Sequence, residues 1–87
     1  MDQHQARAAA DHALDQWVRR PEVDVVIDDT RTRQHPAHWV FFYDTRAFLQ
    51  TGDPDGALAG NVPLVVDRRT GSSWFAQPLV PVEEQLV

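Results

Sequence analysis

The first twenty positions carry apolar residues at spacings of three and four, the pattern of an amphipathic helix. The apolar stripe of the predicted helix, residues 2–19, consists of Ala6, Ala9, Ala10, Ala13, Leu14, Trp17 and Val18. Asp2 followed by Gln5 three residues later forms a candidate capping box, and Pro21 is expected to end the helix. We expect the small alanines to pack closely on a sheet, with Leu14 and Trp17 as the larger anchors.

Four apolar segments after the helix predict strands of an antiparallel sheet. They are residues 23–30, 39–44, 62–66 and 72–77. The first alternates apolar and acidic side chains, and we expect it to pair antiparallel with the second. The second is a continuous aromatic and β-branched run, typical of a central strand shielded on both faces. The last two flank a turn that contains Gly71, as in a β-hairpin.

These elements predict one α+β domain over residues 1–87, in which the helix packs on a four-stranded, mainly antiparallel sheet. Short helical turns are expected after the second strand, at residues 46–50, and at the C-terminus, at residues 81–87. The central strand places Trp39, Phe41 and Tyr43 on one face and Val40 and Phe42 on the other. Because one helix covers only one face, the second face must be covered by the tail, a loop or a partner, or remain exposed.

Composition and charge narrow the possible partners. Thirteen acidic residues oppose eight arginines and no lysine, which gives a net charge of -5. Nucleic-acid binding usually requires a basic surface, so nucleic acid is not expected as a partner. No segment has the length and hydrophobicity of a membrane span or a secretory signal. The absence of cysteine is compatible with the cytoplasm, where we expect a monomer or a small homo-oligomer.

No residue pattern indicates catalysis, a metal or a cofactor. The chain has no cysteine nucleophile and no G-x-S-x-G motif. His35 and His38 have H-x-x-H spacing, but Pro36 between them disfavours the helix that would point both at one metal ion. The DPDG motif at residues 53–56 lacks the spacing of a calcium loop. We therefore expect a protein that is not an enzyme and has no cofactor.

Three segments together resemble the YrhB-like immunity protein 35 family. They are the helix that ends in Trp17 and Val18, the strand region HWVFFYDTRAFLQTGD, and ALAGNVPLVVDRRTG. The resemblance covers nearly the whole chain and implies a small α+β protein, encoded beside a bacterial polymorphic toxin that it neutralises by direct binding. Members of this family have also been linked to chaperone-like behaviour. Gly60 and Asn61 are expected to determine the fold, Gly60 through its backbone angle and Asn61 through a hydrogen bond to nearby backbone.

The leading hypothesis is an immunity protein that blocks a cognate toxin through shape, aromatic anchors and charge complementarity. The alternative is a chaperone-like or general interaction module that uses an exposed aromatic sheet face. A third is a small enzyme or ligand-binding domain with a deep polar pocket. The candidate protein-binding residues are Asp44, Asp53 and Asp55 on the loop side, and Arg31 and Arg33 on an exposed arm.

Overall fold

The computed structural model describes residues 1–86. Two α-helices are present, α1 (Gln3–Trp17) and α2 (Arg46–Thr51). The strands are β1 (Val25–Ile27), β2 (Arg33–Gln34), β3 (His38–Phe41), β4 (Tyr43–Thr45), β5 (Leu64–Asp67) and β6 (Ser73–Phe75). Short 3-10 turns lie at Asp29–Arg31, Pro54–Gly56 and Val82–Gln85. The α+β class is confirmed, as are the two predicted helical turns, although the last residue of the predicted C-terminal turn lies outside the described residues.

The helix α1 begins at the predicted capping box. The Asp2 carboxylate accepts a hydrogen bond from the Gln5 backbone N–H at 2.8 Å, and the Gln5 side chain accepts one from the Asp2 N–H at 3.0 Å. The buried side of α1 is the predicted stripe, with Ala6, Ala10, Ala13 and Leu14 in the core. The expectation that Trp17 anchors the helix on the sheet is wrong, because its side chain is 70% exposed.

The strands form two antiparallel sheets instead of one. The larger has the order β2-β3-β5-β6, and β1 pairs only with β4. The predicted central strand is therefore two strands, which separate at Phe42. The predicted first strand is also shorter, because the Asp28 side chain accepts hydrogen bonds from the backbone N–H and hydroxyl of Thr30 and caps a 3-10 turn. The chain then returns as β2, the segment expected to be an exposed arm, and pairs with β3.

The two faces of the larger sheet are covered by different ends of the chain. Trp39, Phe41 and Tyr43 are buried in one cluster with α1, as the alternation predicts. On the opposite face Val40 and Val65 are completely buried by the C-terminal segment. That second cluster also contains Ala76 and Val82, with Phe42, Trp74 and Leu86 packed against it.

Of the alternatives that the sequence left open for the second face, cover by the tail is the one the structure shows, and the face is not exposed. Val82 and Leu86 share a face of the C-terminal turn, as predicted, and that face packs on the sheet. Burial of these side chains removes apolar surface from water, which is the reason the tail docks. A chaperone-like module would therefore have to use a surface other than this face.

Candidate protein-binding surface

A groove lies between the C-terminal end of α1 and a loop, residues 58–62. We call it the Trp17 groove; its volume is about 370 Å³. Its lining is mostly apolar and consists of Trp17, Val18, Tyr43, Leu58, Ala59, Gly60, Asn61, Val62 and Phe75. The stripe in the sequence gave no sign that Trp17 would border a groove, because its spacing from Leu14 is that of a core residue.

The loop that walls the groove is fixed by hydrogen bonds to β4. The Asp44 carboxylate accepts from the backbone N–H of Leu58 at 2.8 Å, and the Asn61 side-chain amide donates to the Tyr43 carbonyl at 2.8 Å. Gly60 has a φ of 71°, a conformation that costs other residues free energy. The positive φ of Gly60 is as predicted, and Asn61 does bond to backbone, although its acceptor lies 18 residues earlier in the chain. The wall is therefore held in place before any partner arrives.

Tyr43 forms part of the floor of the groove. Its ring packs edge-on against Phe75, with 6.4 Å between ring centroids. Burial raises the pKa of the Tyr43 phenol, while a backbone hydrogen bond from Val62 acts in the opposite direction. A phenol is already neutral at physiological pH, and the upward shift of its pKa acts in the same direction. The floor accordingly presents aromatic surface without charge.

A second groove of about 270 Å³ lies on the other side of Asn61 and Val62, and both Arg31 and Asp44 line it. The guanidinium of Arg31 lies 4.3 Å from the ring centroid of Phe42, and that of Arg33 lies 5.3 Å from it. Cations at this distance are attracted to the ring face. The structure thus brings three predicted contact residues together around one strand break.

Two of these three residues also have partners within the fold. Arg33 forms an ion pair with Glu83, in which Nη1 and Oε1 are 2.6 Å apart. Asp44 is half-buried and accepts hydrogen bonds from the backbone N–H of Leu58 and of Thr45. Their side chains therefore stabilise the surface as well as contribute charge to it.

Asp53 and Asp55 lie apart from that group, in the 3-10 turn that follows α2. The Asp53 carboxylate caps the turn by accepting from the Asp55 backbone N–H at 3.0 Å. Both side chains are exposed, and neither takes part in an ion pair within residues 1–86. Their negative charges face solvent.

Across residues 1–86, no group of three or more His, Cys, Asp or Glu side chains is arranged to hold a metal ion. Among the described helices, none is both long enough and apolar enough to cross a membrane. The prominent features of the surface are therefore the Trp17 groove, the pair of arginines on Phe42 and the exposed acids after α2.

Comparisons with known proteins assign the chain to a family. The family model described as Immunity protein 35 matches residues 4–85. The Escherichia coli K12 protein described as "Uncharacterized protein YrhB" is 34% identical over 83 residues, which cover 95% of this chain and 82% of that protein. No solved structure gives a significant match. The chain belongs to the immunity protein 35 family.

Proposed function

We propose that this protein neutralises a cognate bacterial toxin by binding it directly, without catalysis of its own. The observation that carries the proposal is the match of the immunity protein 35 model to residues 4–85 of the chain. A stoichiometric inhibitor needs a complementary surface and no reactive group. The surface features described above fit that requirement.

The Trp17 groove is the proposed apolar part of the toxin contact. Tryptophan is enriched among the residues that dominate binding energy, and here it is 70% exposed beside a groove with an aromatic floor. The hydrogen bonds of Asp44 and Asn61 fix the opposite wall. A preformed wall lowers the conformational entropy lost on binding. The proposed occupant is an apolar side chain of the toxin.

The exposed acids are proposed to steer the encounter. Asp53 and Asp55 face solvent, and the chain carries a net charge of -5. Such a surface accelerates association with a basic toxin. Arg31, Arg33 and Asp44 are proposed as further contacts around the second groove, where Arg33 and Asp44 also hold the fold together.

The direct test is co-expression with the protein encoded by the adjacent gene. We expect growth rescue and a complex that co-purifies at fixed stoichiometry. Absence of both would contradict the proposal. Weak binding to many unfolded proteins would instead indicate a general interaction module. An assay of whether the protein suppresses the aggregation of unfolded clients would detect it.

The steering role predicts an effect of charge reversal at Asp53 and Asp55. Replacing both by Arg should slow association with the toxin by about tenfold at low salt, because attraction becomes repulsion. Stopped-flow measurements at increasing salt provide the check, since screening should bring the two on-rates together. The matched Asp→Asn pair keeps the capping oxygen of Asp53 and should give an intermediate on-rate. Unchanged on-rates at low salt would remove this turn from the interface.

A further inference from the structure

The turn at residues 78–81 carries a strained and fully exposed leucine. Leu79 has a φ of 70° and is the only residue other than glycine with a positive φ among residues 1–86. Its side chain has a relative exposure of 104%, so that nothing in the fold packs against it. A branched apolar residue in this conformation is unfavourable, and glycine or asparagine would form the same turn with less strain.

The turn is nevertheless firmly held, by the side chain of Gln85. This amide accepts a hydrogen bond from the Gln77 backbone N–H at 2.7 Å and donates to the carbonyls of Gln77 and Val80 at 3.2 and 2.9 Å. On either side of the turn, Ala76 and Val82 are buried in the second core cluster. Both ends of the turn are therefore anchored in the fold.

The sequence of the turn limits its freedom further. Pro78 and Pro81 flank the tip, and each fixes its own φ and restricts the residue before it. Val80, beside Leu79, is also 42% exposed. The result is a small apolar knob of two side chains on a rigid base. Strain that persists in a well-supported segment is characteristic of ligand-contacting sites, because the fold itself gains nothing from it.

Charge around the knob indicates the kind of surface it fits. The neighbouring 3-10 turn contains Glu83, which is paired with Arg33, and Glu84. Glu84 is exposed and takes part in no ion pair within the part of the chain that the structure describes. The knob itself is uncharged, so its complement is an apolar socket with a cation on the rim next to Glu84.

We infer that Leu79 and Val80 form a hydrophobic knob that enters an apolar, cation-rimmed socket on the partner toxin. The inference rests on the proposed function and adds a contact separate from the Trp17 groove. Burial of a leucine side chain in such a socket accounts for about a 10- to 100-fold gain in affinity. In this conformation the Leu79 side chain points away from the protein, where a partner can reach it.

Calorimetric titration of the adjacent-gene toxin with Leu79→Gly tests the knob. Glycine tolerates the observed φ, so we expect the melting temperature to stay the same or rise while affinity falls by about 10- to 100-fold. Leu49→Ala is the matched control, because Leu49 is also exposed, at 37%, but lies on α2; its affinity should equal that of the wild type. If the rim is cationic, Glu84→Lys should lower the affinity for the toxin, and this loss should be larger at low salt than at high salt.

The outcomes separate this inference from the proposed function. Binding by the wild type with unchanged affinity of Leu79→Gly would overturn the knob and leave the proposed function intact. If Glu84→Lys binds the toxin with the affinity of the wild type at low and at high salt, the inference of a cationic rim would be overturned. Failure of the wild type itself to bind would overturn the proposed function, and the knob with it.

Discussion

Removing two methyl groups from Val82 should destabilise the protein, whereas the same change at Val80 should not. Val82 is 7% exposed and packs on Val40 and Val65, which are completely buried, while Val80 is 42% exposed in the neighbouring turn. At about 0.8 kcal/mol per buried methyl group, Val82→Ala loses about 1.6 kcal/mol of transfer free energy. The cavity left behind raises the expected loss to about 2 kcal/mol. Val80→Ala should cost less than about 0.5 kcal/mol.

Urea unfolding measures this difference. With a slope of about 1 kcal/mol per molar urea, typical of a small domain, the midpoint of Val82→Ala should fall by about 2 M. The midpoint of Val80→Ala should stay within about 0.5 M of the wild type. Equal, small shifts in the two variants would mean that the C-terminal segment does not cover the second face of the sheet. That result would refute the two-sided core and restore an exposed apolar face.

Two further predictions concern charged residues. Arg19 donates to the Val25 carbonyl at 2.9 Å and pairs with an acid of α1, so Arg19→Gln should cost about 1–2 kcal/mol in thermal unfolding. Among residues 1–86, the Arg20 side chain donates only to the backbone carbonyls of Val18 and Arg19, so Arg20→Gln should be near neutral. A similar loss of stability in both variants would contradict the role of Arg19. Hydrogen bonds from backbone N–H groups of the following turn lower the pKa of Asp67. The ionised carboxylate therefore stabilises the fold fully above the ordinary carboxyl pKa, and this stabilisation is lost as the pH falls through the lowered pKa of the folded state. The difference in melting temperature between wild type and Asp67→Asn should therefore be present at pH 7 and narrow in acid, and a difference independent of pH would contradict this.

The local features of the fold were predictable because each rests on a few neighbouring residues. Asp2 and Gln5 define the start of α1, and the alternation of residues 39–43 correctly assigns side chains to the two faces of the sheet. Gly60 and Asn61 likewise have the conformation and the hydrogen bond expected from their types.

The features that failed depend on contacts between distant segments. A continuous apolar run conceals the break at Phe42, since both β3 and β4 favour the same residue types. The pairing of β2 with β3 follows from the cap formed by Asp28, which alternation alone does not reveal. Cover of the second face by the tail is one of several alternatives that the sequence leaves open, because residue type does not show where Val82 and Leu86 come to lie.

The candidate surface shows the same limit. The sequence identifies exposed acids such as Asp53 and Asp55, because turn residues face solvent. The sequence also predicts Asp44 as an exposed contact residue. In the structure its carboxylate accepts a hydrogen bond from the backbone of Leu58, 14 residues further along the chain. The exposure of Trp17 and the backbone angle of Leu79 have no signature in residue type. Trp17 is the last residue of α1, and Leu79 lies in the turn between the buried residues Ala76 and Val82.

The proposed function is inhibition of a toxin by direct, stoichiometric binding. It can be tested by titrating the purified toxin from the adjacent gene with this protein and measuring the residual toxin activity. We expect a linear loss of activity that is complete at a fixed molar ratio, matched by a complex of the same composition in solution. Full toxin activity in the presence of excess protein would contradict it.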